Sequence, residues 1–349
     1  ADVRTNVRFM ALLCQRFVTK HSREDERILG MVFLGQCTVD TIKGAAHSLR
    51  DGALIAFPTE TVYGLGADAT NADAVARIYK AKGRPENHPL IVHVGSIDAM
   101  DQWAEDIPKY AVKLARDYWP GPLTLVLKRS SLAGDFITGG QNTVGLRVPA
   151  NNVALGLINE FTKLGGKGIA APSANRFGAV SPTTAQAVED ELADYLEPQD
   201  YILDGGPCLV GVESTIVDCT QEVPTILRLG AITAAMIEET TGLISVTPEK
   251  SEVRVSGSLQ SHYSPKAKVV LDAIAEPGDG LIAPNQIPTP EGVIRLASPR
   301  TIEGYARDLY AALREADNQK LDVVVVLQPG GDGLAEAIRD RLKRSAFKE

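Results

Sequence analysis

Several short stretches of this chain carry side chains suited to holding anions and hydroxyl-bearing ligands. Phe57-Pro58-Thr59-Glu60-Thr61-Val62-Tyr63-Gly64-Leu65-Gly66 sets hydroxyls and two glycines after an apolar run. That pattern lets a backbone approach a ligand closely, and it equally describes a polar turn. Lys80-Ala81-Lys82-Gly83-Arg84-Pro85 places three cations at the end of a predicted helix, where they either clamp an anion or complement the helix dipole. In Ala170-Ala171-Pro172-Ser173-Ala174-Asn175, a Ser-x-Asn turn offers a hydroxyl and an amide that can orient a polar ligand. Glu213-Ser214-Thr215 is followed by Thr225-Ile226-Leu227-Arg228, a strand pattern ending in a guanidinium. His93 interrupts the apolar run Leu90–Val94, as a hydrogen-bonded core residue or as a ligand group, and His262 poses the same alternative in a serine-rich segment.

No generic nucleotide or nucleophile signature accompanies these groups. The chain has no G-x-x-x-x-G-K-[ST], G-x-G-x-x-G or G-x-S-x-G. It has no C-x-x-C, and its five histidines form no H-x-x-x-H pair, so a metal site is not expected. Four scattered cysteines do not form a disulfide framework and suit a reducing compartment. A net charge of −8 excludes a global field that would hold a polyanion, leaving only local nucleic-acid contacts. The longest strongly apolar run, Val323–Leu327, is far short of the roughly 20 residues of a membrane span.

The elements that must position these side chains alternate between strand and helix. At about 150 residues per domain, 349 residues favour two domains, and 44% apolar content supports buried cores. Strands are predicted at 53–57, 89–94, 123–127, 143–148, 201–204, 213–218 and 225–229. Asn71 caps a predicted helix with Val75, Ile78 and Tyr79 inward and Gly83 at its end. Pro108 is expected at the first position of another helix, and Thr183 with Gln186 reads as a capping box before a third, running to about Tyr195. Periodicity fails over 244–267, which is expected to be a linker. Beyond it come a strand at 268–272, a proline-rich stretch expected to be loop (Pro277, Pro284, Pro288, Pro290), a helix at 301–316, a strand at 323–326 and a helix at 333–344. Residues 1–37 are rich in arginine and form an extension whose composition fits an organelle transit peptide or a solvated helix. The expected organisation is therefore 1–37 extension, 38–243 larger α/β domain, 244–267 linker and 268–349 C-terminal domain.

Taken in order, the stretches resemble the YrdC-like family of threonylcarbamoyl-adenylate synthases in its long two-domain form. The resemblance rests on Phe57–Gly66, Lys82-Gly83-Arg84-Pro85, Pro89–Val94, Pro120–Thr124, Gly145–Pro149, Pro172–Asn175, Ser181-Pro182-Thr183 and Glu213-Ser214-Thr215. It extends through Ser256-Gly257-Ser258, His262–Pro265 and Asp340-Arg341-Leu342. It implies an α/β fold, a twisted mixed sheet with a concave basic face, plus a small Rossmann-like C-terminal domain. The implied enzyme is a nucleotidyltransferase that condenses L-threonine, bicarbonate and ATP to L-threonylcarbamoyl-AMP and pyrophosphate. Its product goes to a downstream transferase that modifies tRNA at N6 of adenosine.

By the same resemblance, Lys82, Arg84, Ser173 and Asn175 are the catalytic positions. Arg84, His88, Thr143, Ser173, Ser181 and Arg228 fall on the ATP side, with His88 where the family usually has asparagine. Thr61, His93, Arg147 and Ser214 fall on the threonine side, and His262 and Tyr263 form a linker lid. Mg2+ is expected to arrive on ATP's own phosphates. The implied location is cytoplasmic, with organelle targeting left to the extension. Two other readings are a carbamoyl-adenylate-forming maturation enzyme and an RNA-binding module of the same fold, whose affinity would be weak and salt-sensitive.

Overall fold

The computed structural model describes residues 33–248, 251–257 and 263–347. Nearly all of the expected extension, and His262, lie outside the described residues. Ten strands form one mixed sheet: β1 (Phe33–Gln36), β2 (Ile55–Phe57), β3 (Gly64–Asp68), β4 (Ile91–His93), β5 (Leu123–Lys128), β6 (Thr143–Arg147), β7 (Ile169–Ala170), β8 (Tyr201–Asp204), β9 (Thr215–Asp218) and β10 (Thr225–Arg228). Their order is β1-β8-β2-β3-β7-β4-β6-β5-β9-β10. A second, all-parallel sheet, β11 (Lys268–Leu271), β12 (Gly280–Ile282), β13 (Ile294–Ala297) and β14 (Val323–Val326), runs β11-β14-β12-β13 and packs against helices Ile302–Asn318 and Leu334–Ala346 in a Rossmann-like arrangement.

Register decides which side chains meet. β4 and β6 run parallel with His93 opposite Arg147, so the two share one face of the sheet. β5 runs antiparallel to β6 and parallel to β9, and β10 returns antiparallel beside β9. The ends of β4, β6 and β10 and the starts of β5 and β9 therefore fall at one edge, which gathers His93, Arg147, Arg228, Thr124 and Ser214.

Local chemistry accounts for the connections. Asn71 Oδ1 accepts from Ala74 N at 3.1 Å and starts the helix Ala72–Lys82, which buries Val75, Ile78 and Tyr79. Gly83 ends it at φ +62°, and a Cβ there would stand 2.8 Å from Arg176 Nη2. Lys82 thus occupies the last helical turn and Arg84 leaves it. Helix Ile302–Asn318 begins, as expected, after Thr301, whose hydroxyl accepts from Gly304 N at 3.0 Å.

Some expectations are corrected. Thr184, not Thr183, caps the helix Ala185–Leu192 by accepting from Ala187 N. Gln186 turns to Glu189 and Asp190, so no capping box forms. Pro108 is the cap before helix Lys109–Tyr118 rather than its first residue. The proline-rich stretch contains β12 at the middle of the second sheet, because Pro277 and Pro284 stand just outside its three residues and leave every ladder donor in place. Strand β3, with two glycines in five residues, was not foreseen. A Cβ at Gly66 would lie 2.6 Å from Ile169 Cγ2 and 2.7 Å from Phe57, so this glycine serves close strand packing rather than ligand approach.

Connections of the first half share a core with the second sheet's layer: Val62, Val180, Val210 and Val212 pack with Tyr263, Leu309, Tyr310, Leu313 and Leu342. Residues 251–257 have no regular structure, yet Val255 is buried with Val126 and Ile216.

Asp200 ties the far side of the first sheet together. Its carboxylate is fully buried, accepts from Leu54 N at 2.7 Å and Glu197 N at 2.8 Å, and pairs with Arg77 at 2.7 Å. Asp200→Ala strands a buried backbone donor and should lower unfolding free energy by about 2–4 kcal/mol. Urea unfolding with an unchanged slope but a lower midpoint is the expected observation, and an unmoved midpoint would contradict this account.

Candidate active site

A cleft opens where the β2–β3 connection, the turn after β7, the ends of β4, β6 and β10, and Ser256, Gly257 and Tyr263 approach one another. Thr59, Thr61, Gly64, Ser173, Ser256 and Tyr263 line it together with the arginines and acids described next. Gly64 bridges to Ser173, which brings the two polar turns side by side.

Two guanidinium groups dominate the charge. Arg84 is 7% exposed and Arg228 8%, and neither has a carboxylate within ion-pair distance among the described residues. Arg84 Nη2 donates to the carbonyl of Pro89 at 3.0 Å and to Ser256 Oγ at 3.1 Å, while its buried Nε has no partner. Arg228 donates through Nε to Ser214 O at 2.9 Å, through Nη2 to Ser214 Oγ at 3.0 Å and through Nη1 to Ser256 O at 2.9 Å. Burial first, and then the neighbouring positive charge of Arg228, push Arg84 down to about 10, still cationic at neutral pH. Burial likewise lowers Arg228, aided by the charges of Arg341 and Arg147. Both groups bear unscreened positive charge that an anion would relieve.

The opposite part of the cleft is compensated. Arg147 Nη2 lies 2.7 Å from Glu60 Oε1, with both side chains 5% exposed, and Glu60 Oε2 accepts from Ala150 N at 2.9 Å. Beside this pair, Thr59 and Thr61 share a hydroxyl contact of 2.8 Å. His93 is buried, and its Nδ1 has no hydrogen-bond partner. Burial, followed by repulsion from Arg147, pushes the imidazole down to about 3, so it is neutral at physiological pH.

Other expected residues stand around the cleft rather than on its wall. Lys82 is buried and its Nζ donates to the carbonyls of Ser173 (2.6 Å) and Asn175, which pins the turn that presents Ser173. Burial and then Arg84 push the ammonium well below its ordinary value. Asn175 donates to Arg176 O and Ala179 O, leaving its buried Oδ1 unpartnered. Ser181 donates to Glu213 Oε1 at 2.7 Å. Ser214 Oγ lies between Thr124 Oγ1 and Arg228. Thr143 faces an adjoining recess walled by Pro89, Val126, Ile216 and Val255. His88 stands edge-on to Phe177, 5.3 Å between ring centres, and the Phe177 ring lies beneath Arg84 at 5.8 Å. Burial, then Arg84 and Arg254, lower the His88 imidazole, so it too is neutral.

Sequence reasoning assigned no role to Thr59, Glu60, Glu213, Ser256 or Gly257, all in or against the cleft. The signal for the last two was the Ser-Gly-Ser of the linker. Gly257 sits at φ +81°, where a Cβ would meet Tyr263 Oη at 2.2 Å, so only glycine fits the crossing over Arg228. Among the described residues no cluster of three histidines, cysteines or acids could hold a metal ion, and no helix is long and apolar enough to cross a membrane.

Two family profiles match the chain. The Sua5–YciO–YrdC profile, described as telomere recombination, covers residues 47–230, and the C-terminal domain of threonylcarbamoyl-AMP synthase covers 232–347. The threonylcarbamoyl-AMP synthase of Pyrococcus abyssi is 39% identical over an alignment spanning 87% of this chain and 94% of that protein. Its Bacillus subtilis counterpart is 38% identical, spanning 87% and 92%. Among solved structures, P. abyssi Sua5 complexed with L-threonine is similar at a TM-score of 0.81, with 36% identity over 90% of this chain and 97% of that one. A form of P. abyssi Sua5 with an adjacent histidine and tyrosine replaced by alanine is similar at 0.82, with 36% identity, covering 90% and 96%.

The neutral state of His93 has a measurable sign. With a folded value near 3 against an unfolded value near 6.5, its contribution to stability is complete above about pH 6.5 and is lost as pH falls toward 3. Between those limits wild type should lose about 1.4 kcal/mol per pH unit more than His93→Gln, as measured by chemical unfolding at stepped pH. Parallel pH profiles for the two proteins would refute the assignment.

Proposed function

The chain belongs to the Sua5–YciO–YrdC family in its two-domain form and is a threonylcarbamoyl-AMP synthase, and from that premise we propose how its cleft divides the substrates. The enzyme condenses L-threonine, bicarbonate and ATP to L-threonylcarbamoyl-AMP and pyrophosphate. The threonine nitrogen bonds to the carbonate-derived carbon with loss of water. A carbamate oxygen then bonds to the α-phosphorus while the bond from that phosphorus to the bridging β-phosphate oxygen breaks. Anionic reactants must be crowded together, so fixed cations and positioning matter more than any side-chain nucleophile.

The observation that carries the assignment is the pair Arg84 and Arg228, buried without carboxylate partners, against the neutral and compensated surface around His93 and Arg147. Arg84 and Arg228 take the triphosphate, with Ser173 and Ser181 at its polyphosphate end and His88 and Thr143 toward the nucleoside. Arg147, steered by Glu60, takes the threonine carboxylate, and Thr61, His93 and Ser214 shape the rest of that pocket with uncharged groups. Lys82 and Asn175 hold the Ser173 turn in register with Arg84. Tyr263, on the cleft wall, closes over the ligands.

Mg2+ does not fit the carboxylates present, since Glu60 and Glu213 are each engaged by an arginine. A cation accompanying the reaction enters on the nucleotide's own phosphates. The product passes to a transferase acting on tRNA adenosine, and with a net charge of −8 any direct RNA contact by this chain is local and salt-sensitive.

Pyrophosphate release should require threonine, bicarbonate and ATP together, and serine should substitute poorly. Arg84→Ala should reduce release at least about 100-fold with circular dichroism unchanged, since removal of a transition-state charge donor typically costs that much, and Lys82→Ala should also reduce it strongly by releasing the turn that presents Ser173. Release that is indifferent to the amino acid would overturn the reading.

A further inference from the structure

Glu213 is an acid in the wall of a cleft that gathers anions. Its carboxylate is buried, with Oε1 accepting from the Ser181 hydroxyl at 2.7 Å and Oε2 accepting from Tyr310 Oη and Arg341 Nε, each at 2.9 Å. Tyr310 and Arg341 belong to the helices of the second sheet, so the C-terminal half of the chain supplies the counter-charge for an acid of the catalytic half.

The connections form a cross-tie. Arg228 is anchored on Ser214, the residue after Glu213. Arg341, completely buried, is anchored on Glu213 and, through Nη2 at 2.8 Å, on the carbonyl of Leu229, the residue after Arg228. Its remaining Nη1 meets Asp340 at 2.6 Å. Each arginine thus holds the neighbour of the other's partner, and Glu213 and Arg228 line one cavity without an ion pair between them.

We infer that Arg341 is a positioning residue for the nucleotide side of the cleft: by holding the Glu213 carboxylate it keeps that acid from capturing Arg228, whose charge stays available to phosphate. The inference rests on the assignment of Arg228 to ATP. The same helix also steadies Tyr263. Arg341 lies over the Tyr263 ring at 5.4 Å, Tyr263 stacks on Tyr310 at 5.7 Å and 23°, and Ser345 Oγ donates to Tyr263 O at 2.8 Å. Burial by itself pushes the Glu213 carboxyl up, yet Arg341, Arg228 and the hydrogen bonds outweigh it and hold the group below its usual range, an anion in search of a cation. Without Arg341, the guanidinium already bonded to the adjoining residue is Arg228.

The test uses the full chain, with ATP affinity measured by calorimetry and KM for ATP and for threonine measured by pyrophosphate release. Arg341→Met should weaken ATP binding about tenfold or more, while KM for threonine changes less than about threefold, because the freed acid competes for the nucleotide's cation. Adding Glu213→Gln to Arg341→Met should bring ATP affinity back to within about threefold of wild type, since glutamine removes the charge while its carbonyl oxygen accepts from one hydroxyl and its amide donates to the oxygen of the other. A merely structural role predicts a double variant as weak as Arg341→Met or weaker, and that result overturns the inference, as does unchanged ATP affinity in Arg341→Met. Should Arg341→Met fail to fold, Tyr310→Phe removes one donor from the same oxygen and should weaken ATP binding about threefold, with an unchanged affinity counting against the inference. Arg228→Ala separates the two levels. If it weakens ATP binding while the rescue fails, only the role of Arg341 falls; if it leaves ATP binding intact, the assignment of Arg228 itself falls.

Discussion

Among the described residues no carboxylate lies within ion-pair distance of buried Arg84 or Arg228, and much of the architecture around them serves to keep two such groups folded and charged. Placing a guanidinium in a dry environment is costly unless its donors are satisfied. Here the partners that the two groups do have are neutral oxygens, the carbonyls of Pro89, Ser214 and Ser256 and the hydroxyls of Ser214 and Ser256, while Arg84 Nε is left unpartnered. Neutral partners satisfy geometry without cancelling charge, so the site remains an attractor for anions. Had the same donors met acids, the protein would gain local electrostatic balance and lose the positive charge that draws an anion.

The acids near the cleft follow a complementary logic. Glu60 and Glu213 are each committed elsewhere, one to Arg147 and the other to Arg341. One commitment joins the β2–β3 connection to the end of β6 and fixes the Arg147 guanidinium in place. The other crosses to the second sheet, in the same region where Val62, Val210 and Val212 pack against Leu309, Leu313 and Leu342. That apolar contact excludes water from the ion pair and strengthens it. Residues 251–257 lie over the arginines from above, and Tyr263 is pinned by an aromatic stack and a cation. The second domain is therefore part of the electrostatics of the first, although among the described residues its own sheet contributes no wall to the cleft.

Much of the fold was legible because its signals are local. The cap at Asn71, the left-handed stop at Gly83, the strands around Val92, Leu125 and Val144, and the run of valines at 323–326 each follow from neighbours a few residues away. The readings that failed did so where a distant partner decided the outcome. β3, Gly-Leu-Gly-Ala-Asp, has poor strand propensity and exists because β2 and β7 pair with both its edges. β12 survives among prolines because β13 and β14 flank it. Thr183 and Thr184 are indistinguishable as caps until the backbone chooses one.

By itself the sequence determined which chemical groups are present and in what order: the cations at 82, 84, 147 and 228, the hydroxyl turns at 59–61 and 173–181, the lone strand histidine, and the small residues that let these segments come close. Order along the chain also carried the family resemblance, and with it the reaction. Only the tertiary structure decided which cation stays free and which is neutralised, because that depends on pairings such as Arg147 with Glu60, or Arg341 with Glu213 across 128 positions. Charge acts through space and through the local dielectric, and neither is a property of a residue's neighbours in the chain. For the same reason only the structure shows that Lys82, a catalytic position by the resemblance, donates to the carbonyls of Ser173 and Asn175 and so tethers that turn.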